Sequence, residues 1–197
     1  MEQAGTSSQA RTDTGSLHAG SSDREARRGL SPTRRLALGL LSAALVLGAC
    51  ASAPPPVENT IYLVRHAEKA DGDNPSLTLV GRARAEILAR ELSDAGLTAI
   101  YSTDYKRTRE TAAPIAKATG LPVIGYDPRG LEPFASMLRA TPGNILVVGH
   151  SNTTPELVDL LGGKPGAPID EASEYDRLYV LTVDGRRVRT ELRRYGD

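Results

Sequence analysis

Two arginines and two histidines carry the chemistry in this 197-residue chain. In "IYLVRHAEKA" an apolar run passes directly into Arg65 and His66, in "YSTDYKRTRETA" a second run leads to Arg107, and in "NILVVGH" a third ends at His150. Burying a charge is costly unless it is paired, so a buried strand that runs into Arg65 and His66 must end at an anion, a carboxylate or water. A guanidinium presents a planar fork of donors that matches the oxygens of phosphate or carboxylate. Two of them favour phosphate. Arg107 falls in the first turn of a predicted helix, where unpaired N–H groups and the helix dipole also favour an anion. The glycine before His150 and a helix start at "SNTTPE" bring further backbone donors close, which adds Ser151 and Asn152 to the phosphate-binding candidates. By default an arginine after a strand is solvated and a lone histidine is structural; the coincidence at three strand ends is the signal.

The elements that must position these residues are read from periodicity. Strands are predicted over 60–66, 97–103 and 144–150, with a weak one over 121–126. Helical spacing covers 77–96, with Gly96 as a stop, and 104–120, with Asp104 as N-cap and Gly120 as C-terminal stop. Shorter helices are predicted around 134–139 and behind the strand at 144–150. The chain then changes character, with strands over 176–183 and 186–195 flanking a turn at Asp184-Gly185. Strands alternating with helices imply an α/β three-layer sandwich: a mostly parallel central sheet, helices on both faces and a C-terminal antiparallel hairpin. Ligands in such sheets bind beyond the carboxyl ends of the strands, near a switch in strand order. Arg65, His66 and His150 end predicted strands, and Arg107 opens the helix after another.

Composition narrows the function classes. Formal net charge is zero, Trp is absent and Phe occurs once, which argues against a polyanionic partner such as nucleic acid. The single cysteine, Cys50, excludes an internal disulfide and a thiolate-rich metal site. "RRLALGLLSAALVLGAC" has basic, apolar and small-residue parts in the order of a secretory signal, and "LGAC" resembles a bacterial lipobox in which Cys50 is lipidated. The apolar run is short for a bilayer span, which takes roughly 20 residues. The expected organisation is a disordered lead-in or mis-assigned start over 1–30, a lipoprotein signal over 31–50, a Pro-rich tether over 51–58 and one folded domain over 59–197. The expected location is a membrane surface facing the periplasm, through a lipid on Cys50.

"VRHAEK", "YSTDYKRTRETA" and "VVGHSN", in this order and spacing, resemble the histidine phosphatase superfamily, the phosphoglycerate mutase-like fold. The resemblance covers the domain from about residue 60 to 195; it departs at Ala67, where members usually carry glycine. It implies a metal-independent phosphomonoesterase without cofactor, acting on a phosphorylated small molecule or phosphoprotein. His66 would be the nucleophile that forms a phosphohistidine, and Arg65, Arg107 and His150 would hold the phosphoryl oxygens. Glu132, with Glu68 as alternative, would protonate the leaving oxygen. Ser102, Thr111 and Asn152 match motif positions and would support the pocket from behind. The alternatives left open are a phosphoglycerate mutase-type transferase and a non-catalytic phospholigand-binding lipoprotein.

Overall fold

In the computed structural model, residues 58–196 are described. The expected lead-in, signal segment, lipidated Cys50 and most of the tether lie outside the described residues. The elements follow the order β1 (Glu58–Arg65), α1 (Leu79–Glu91), β2 (Leu97–Ser102), α2 (Lys106–Thr119), β3 (Val123–Gly125), α3 (Leu131–Ala140), β4 (Gly143–Gly149), α4 (Thr153–Leu160), β5 (Arg177–Asp184) and β6 (Arg187–Arg194). They form one sheet in the order β3-β2-β4-β1-β5-β6. β1 to β4 are mutually parallel, and β5 and β6 add antiparallel strands beside β1. The expected mixed sandwich is therefore observed, with β3 reduced to three residues.

Alternating side chains point to opposite faces of a strand, and here the two sets build two cores. Ile61, Leu63, Ile145, Val147, Tyr179 and Leu181 pack with Phe134, Leu138, Leu157 and Leu161 of α3 and α4. Val64, Ile100, Leu146, Val148, Leu178 and Val180 pack with Leu88, Leu92, Ala112 and Ile115 of α1 and α2. β4 is apolar on both faces because helices cover both, as expected for an interior parallel strand.

The chain runs outward from β1 to β2 and β3, then returns to insert β4 between β2 and β1. This reversal is the switch point where a crevice opens. Register fixes what lies there. Arg65 pairs with Gly149, and the His66 amide donates to the Gly149 carbonyl at 2.9 Å. His66 and His150 therefore leave adjacent strands side by side. A Cβ on Gly149 would sit 2.9 Å from both Thr154 Oγ1 and the Tyr126 hydroxyl, so any side chain there would displace them. Gly81 plays a similar part in α1: a Cβ there would lie 2.1 Å from the Glu68 carbonyl oxygen, so only glycine lets α1 approach the segment after His66.

Two helix starts differ from the sequence expectation: α3 begins at Leu131, ahead of 134, and α2 begins at Lys106. Tyr105, not Asp104, is the N-cap of α2, and it makes no side-chain capping bond. Asp104 turns outward and pairs with Arg109 at 2.7 Å. α1 is capped as its sequence allows, with Thr78 accepting from the Gly81 amide.

Candidate active site

His66 is 3% exposed and edges a cleft of about 590 Å³ at the switch point. Its Nδ1 lies 2.8 Å from the Ala67 carbonyl oxygen. A carbonyl can only accept, so Nδ1 carries the proton and Nε2 keeps its lone pair. Burial holds its pKa down at about 3, and the Arg65 and Arg107 charges push the same way. The ring is thus neutral at pH 7, with the Nε2 lone pair free. Its acceptor is itself held in place: the Ala67 amide donates to Thr111 Oγ1 at 3.0 Å, and that hydroxyl donates to the Arg107 carbonyl at 2.7 Å. Thr111 thereby fastens the segment after β1 to the first turns of α2.

His150 lies across the cleft, with ring centroids 5.5 Å apart. Arg107 Nη2 can only donate, so at 3.3 Å it fixes His150 Nδ1 as acceptor. The proton then sits on Nε2, 2.9 Å from Thr103 Oγ1. The relay continues from Thr103 to Thr108 Oγ1 at 3.0 Å and from Thr108 to the Thr103 carbonyl at 2.9 Å. Burial, then Arg107 and Arg65, lowers the His150 pKa to about 4. Both nitrogens of His150 are engaged within the protein here, so it donates to a phosphoryl oxygen only after taking up a further proton.

Arg65 is 2% exposed and sits behind the cleft. Its Nη atoms donate to the carbonyls of Asp170, Glu171 and Glu174 at 3.2, 2.8 and 2.9 Å, and its guanidinium lies 4.0 Å from the centre of the Tyr175 ring. Of its nitrogens only Nε has no partner at all, one N–H of Nη2 is also unused, and Nε of Arg107 is likewise buried and unpartnered. Three carbonyls hold the ends of the guanidinium expected to bind phosphoryl oxygens, which leaves Nε and one N–H of Nη2 for that role. Arg107 stacks on Tyr105, 4.5 Å from the ring centre. Among the described residues neither arginine pairs with a carboxylate.

Ser151 and Asn152 line the cleft where α4 begins. Asn152 is the N-cap residue without a side-chain cap bond, and the His150 amide is taken by Thr153 Oγ1 at 3.1 Å. Ser102 is buried, donating to the Thr103 carbonyl at 2.9 Å. Neither expected acid comes to the cleft lining. Glu68 is turned to the α1 side and pairs with Arg84 at 2.8 Å, and Glu132 is exposed in the first turn of α3. The carboxylate that does line the cleft is Glu171, together with the rim cations Lys69 and Arg129. Arg129 and Glu171 adjoin none of the three sequence motifs, whereas Lys69 closes the first of them. Lys69, in "RHAEK", was the most accessible signal. Among the described residues no group of three His, Cys, Asp or Glu is placed to hold a metal ion.

The sequence profile of the histidine phosphatase superfamily (branch 1) matches residues 61–132, from β1 to the start of α3. The chain belongs to this superfamily. A probable phosphoglycerate mutase GpmB of Yersinia enterocolitica is 31% identical over 141 residues, which is 67% of this chain and 60% of the relative's length. The crystal structure of a putative phosphohistidine phosphatase SixA from Agrobacterium tumefaciens is 25% identical, with a TM-score of 0.57 covering 70% of this chain and 98% of that one. The protein histidine phosphatase SixA in complex with tungstate shares the fold at 15% identity, with a TM-score of 0.56 over 68% of this chain and 96% of the other.

The depressed histidines predict how stability follows pH. An unfolded histidine titrates near 6.5, whereas folded His66 and His150 stay neutral down to about 3 and 4. Below about pH 6.5 the unfolded chain binds protons that the folded one refuses, so stability falls as pH falls. The upper limit is about 1.4 kcal/mol per pH unit for each ring, less for half-buried His150, where solvent screens the charge. Urea unfolding at pH 7 and pH 5 checks this. The wild type loses stability over that interval, and the His66→Gln/His150→Gln double variant loses distinctly less; equal losses would contradict the assignment of neutral rings.

Proposed function

We propose that this protein is a metal-independent phosphatase that hydrolyses phosphomonoesters through a phosphohistidine on His66. The observation that carries the reading is an unprotonated Nε2 beside two guanidinium groups that lack carboxylate partners. A phosphoryl dianion supplies the missing negative charge. In the first step Nε2 attacks phosphorus in line and the ester oxygen departs. Arg107, with Arg65 Nε behind it, neutralises charge as it spreads over the phosphoryl oxygens, and one such donor is typically worth about 3 kcal/mol. His150 joins them when the arriving dianion restores its proton, because an opposite charge favours the imidazolium. Side-chain cations thus do what a metal ion does in other phosphatases.

The GpmB relative favours a mutase reading, and the SixA relative favours a phosphohistidine substrate. The connection from β3 to α3 that borders the cleft spans only 126–130, so the site is open at that side. An open site suits bulky substrates such as phosphoproteins better than the retained intermediate of a mutase. With 4-nitrophenyl phosphate in EDTA the expected result is sustained turnover, abolished in His66→Ala. Loss of turnover to chelation, or phosphoglycerate isomerisation faster than hydrolysis, would overturn the reading.

The proposal includes export and anchoring through Cys50, which rests on residues 34–50 of the sequence. Labelled palmitate should enter the wild-type chain in the producing bacterium and not Cys50→Ala; an unlabelled wild type would refute the anchor.

A further inference from the structure

Hydrolysis of a phosphohistidine needs a group that takes the proton of the attacking water. Other carboxylates of the segments around the cleft are already spent on other partners. Glu68 is paired with Arg84, Asp127 with Arg129, and Glu174 with both Arg177 and Arg194. Asp170 accepts from Ser173 and the Ala172 amide. Glu171 differs from all of these. Its side chain is exposed at the cleft that His66, Arg107 and His150 share, with no hydrogen bond or ion pair to the described residues.

Its root, by contrast, is fixed. The Glu171 carbonyl accepts from Arg65 Nη2 at 2.8 Å, and Arg65 also holds the carbonyls of Asp170 and Glu174. Tyr175 lies over the same guanidinium, 6.2 Å from the His66 ring. Behind it Arg177 donates to the carbonyls of Ala167 and Pro168 and to Glu174. The 161–176 connection is therefore clamped from two sides, with its unpaired carboxylate at the cleft. An ionised carboxylate only accepts hydrogen bonds, and the other polar groups around this cleft are cations, imidazoles and neutral side chains.

We propose that Glu171 is the general base of the second half-reaction, a proposal that rests on the phosphohistidine reading of His66. The water oxygen bonds to phosphorus as the P–Nε2 bond breaks, and that electron pair returns to Nε2, restoring the neutral ring. The water proton passes to the Glu171 carboxylate and then to solvent, and inorganic phosphate leaves. This base belongs to the α4–β5 connection and is distinct from the acid of the first step, for which the sequence suggested Glu132 or Glu68.

Rapid-quench kinetics on the full chain with 4-nitrophenyl phosphate tests it. Glu171→Gln keeps the backbone carbonyl that Arg65 holds, so the expected variant retains the nitrophenol burst while steady-state turnover falls about 10²-fold. Phosphohistidine, trapped in alkali and read by phosphorus NMR, accumulates in it, and Glu171→Asp recovers part of the rate. A misplaced loop would instead remove the burst together with turnover. The assignment is overturned if Glu171→Gln turns over within a few-fold of wild type, or if burst and steady state fall together. A wild type that turns over without ever trapping phosphohistidine overturns the His66 reading itself, and this assignment with it.

Discussion

Positive charge without a carboxylate partner is the constraint around which the site is built. Arg65 and Arg107 sit beside two imidazoles that burial keeps neutral, and Nε of each arginine is buried without an acceptor. A buried guanidinium is ordinarily paired with a carboxylate, because an unpaired one is among the costlier features a fold can carry. Here Arg65 is given carbonyl oxygens instead. Carbonyl dipoles satisfy three of its N–H groups and leave its unit charge uncancelled. That is what an anion site requires, and it comes at the expense of stability, as functional sites often do.

The same guanidinium links the site to the last third of the fold. By fastening the 161–176 connection, Arg65 sets where Glu171 and Tyr175 lie, while Arg177 at the start of β5 clamps the other side of that connection. Arg177 is 7% exposed and its charge is met by Glu174, whose pKa it pulls down to about 2. Two buried arginines thus serve opposite ends: one is neutralised and structural, the other is left charged toward the cleft. Sequence position alone does not distinguish them, since both adjoin apolar strand residues.

Much of this was legible in the sequence because it depends on local pattern. The apolar runs before His66 and His150 are strands, their ends meet because β1 and β4 pair in register, and helices with 3.6-residue periodicity cover both faces. The convergence of His66, Arg107 and His150 followed from the strand-end rule. What failed to show was set by which side-chain partner each carboxylate finds in the fold. Glu68 lies two residues from His66, but strand and turn geometry turn it toward Arg84. Asp104 has the chemistry of an N-cap, yet pairs with Arg109. Glu171 sits in a segment with no periodicity, and contacts from Arg65, 106 residues away, and from Arg177 hold that segment at the cleft.

If these cations form one dianion site, calorimetric titration of the protein with tungstate at pH 7 gives one equivalent bound by the wild type, weakened about 10²-fold in Arg107→Ala, as expected for loss of one strong electrostatic donor. Tungstate that fails to bind the wild type, or binds Arg107→Ala equally well, would contradict it.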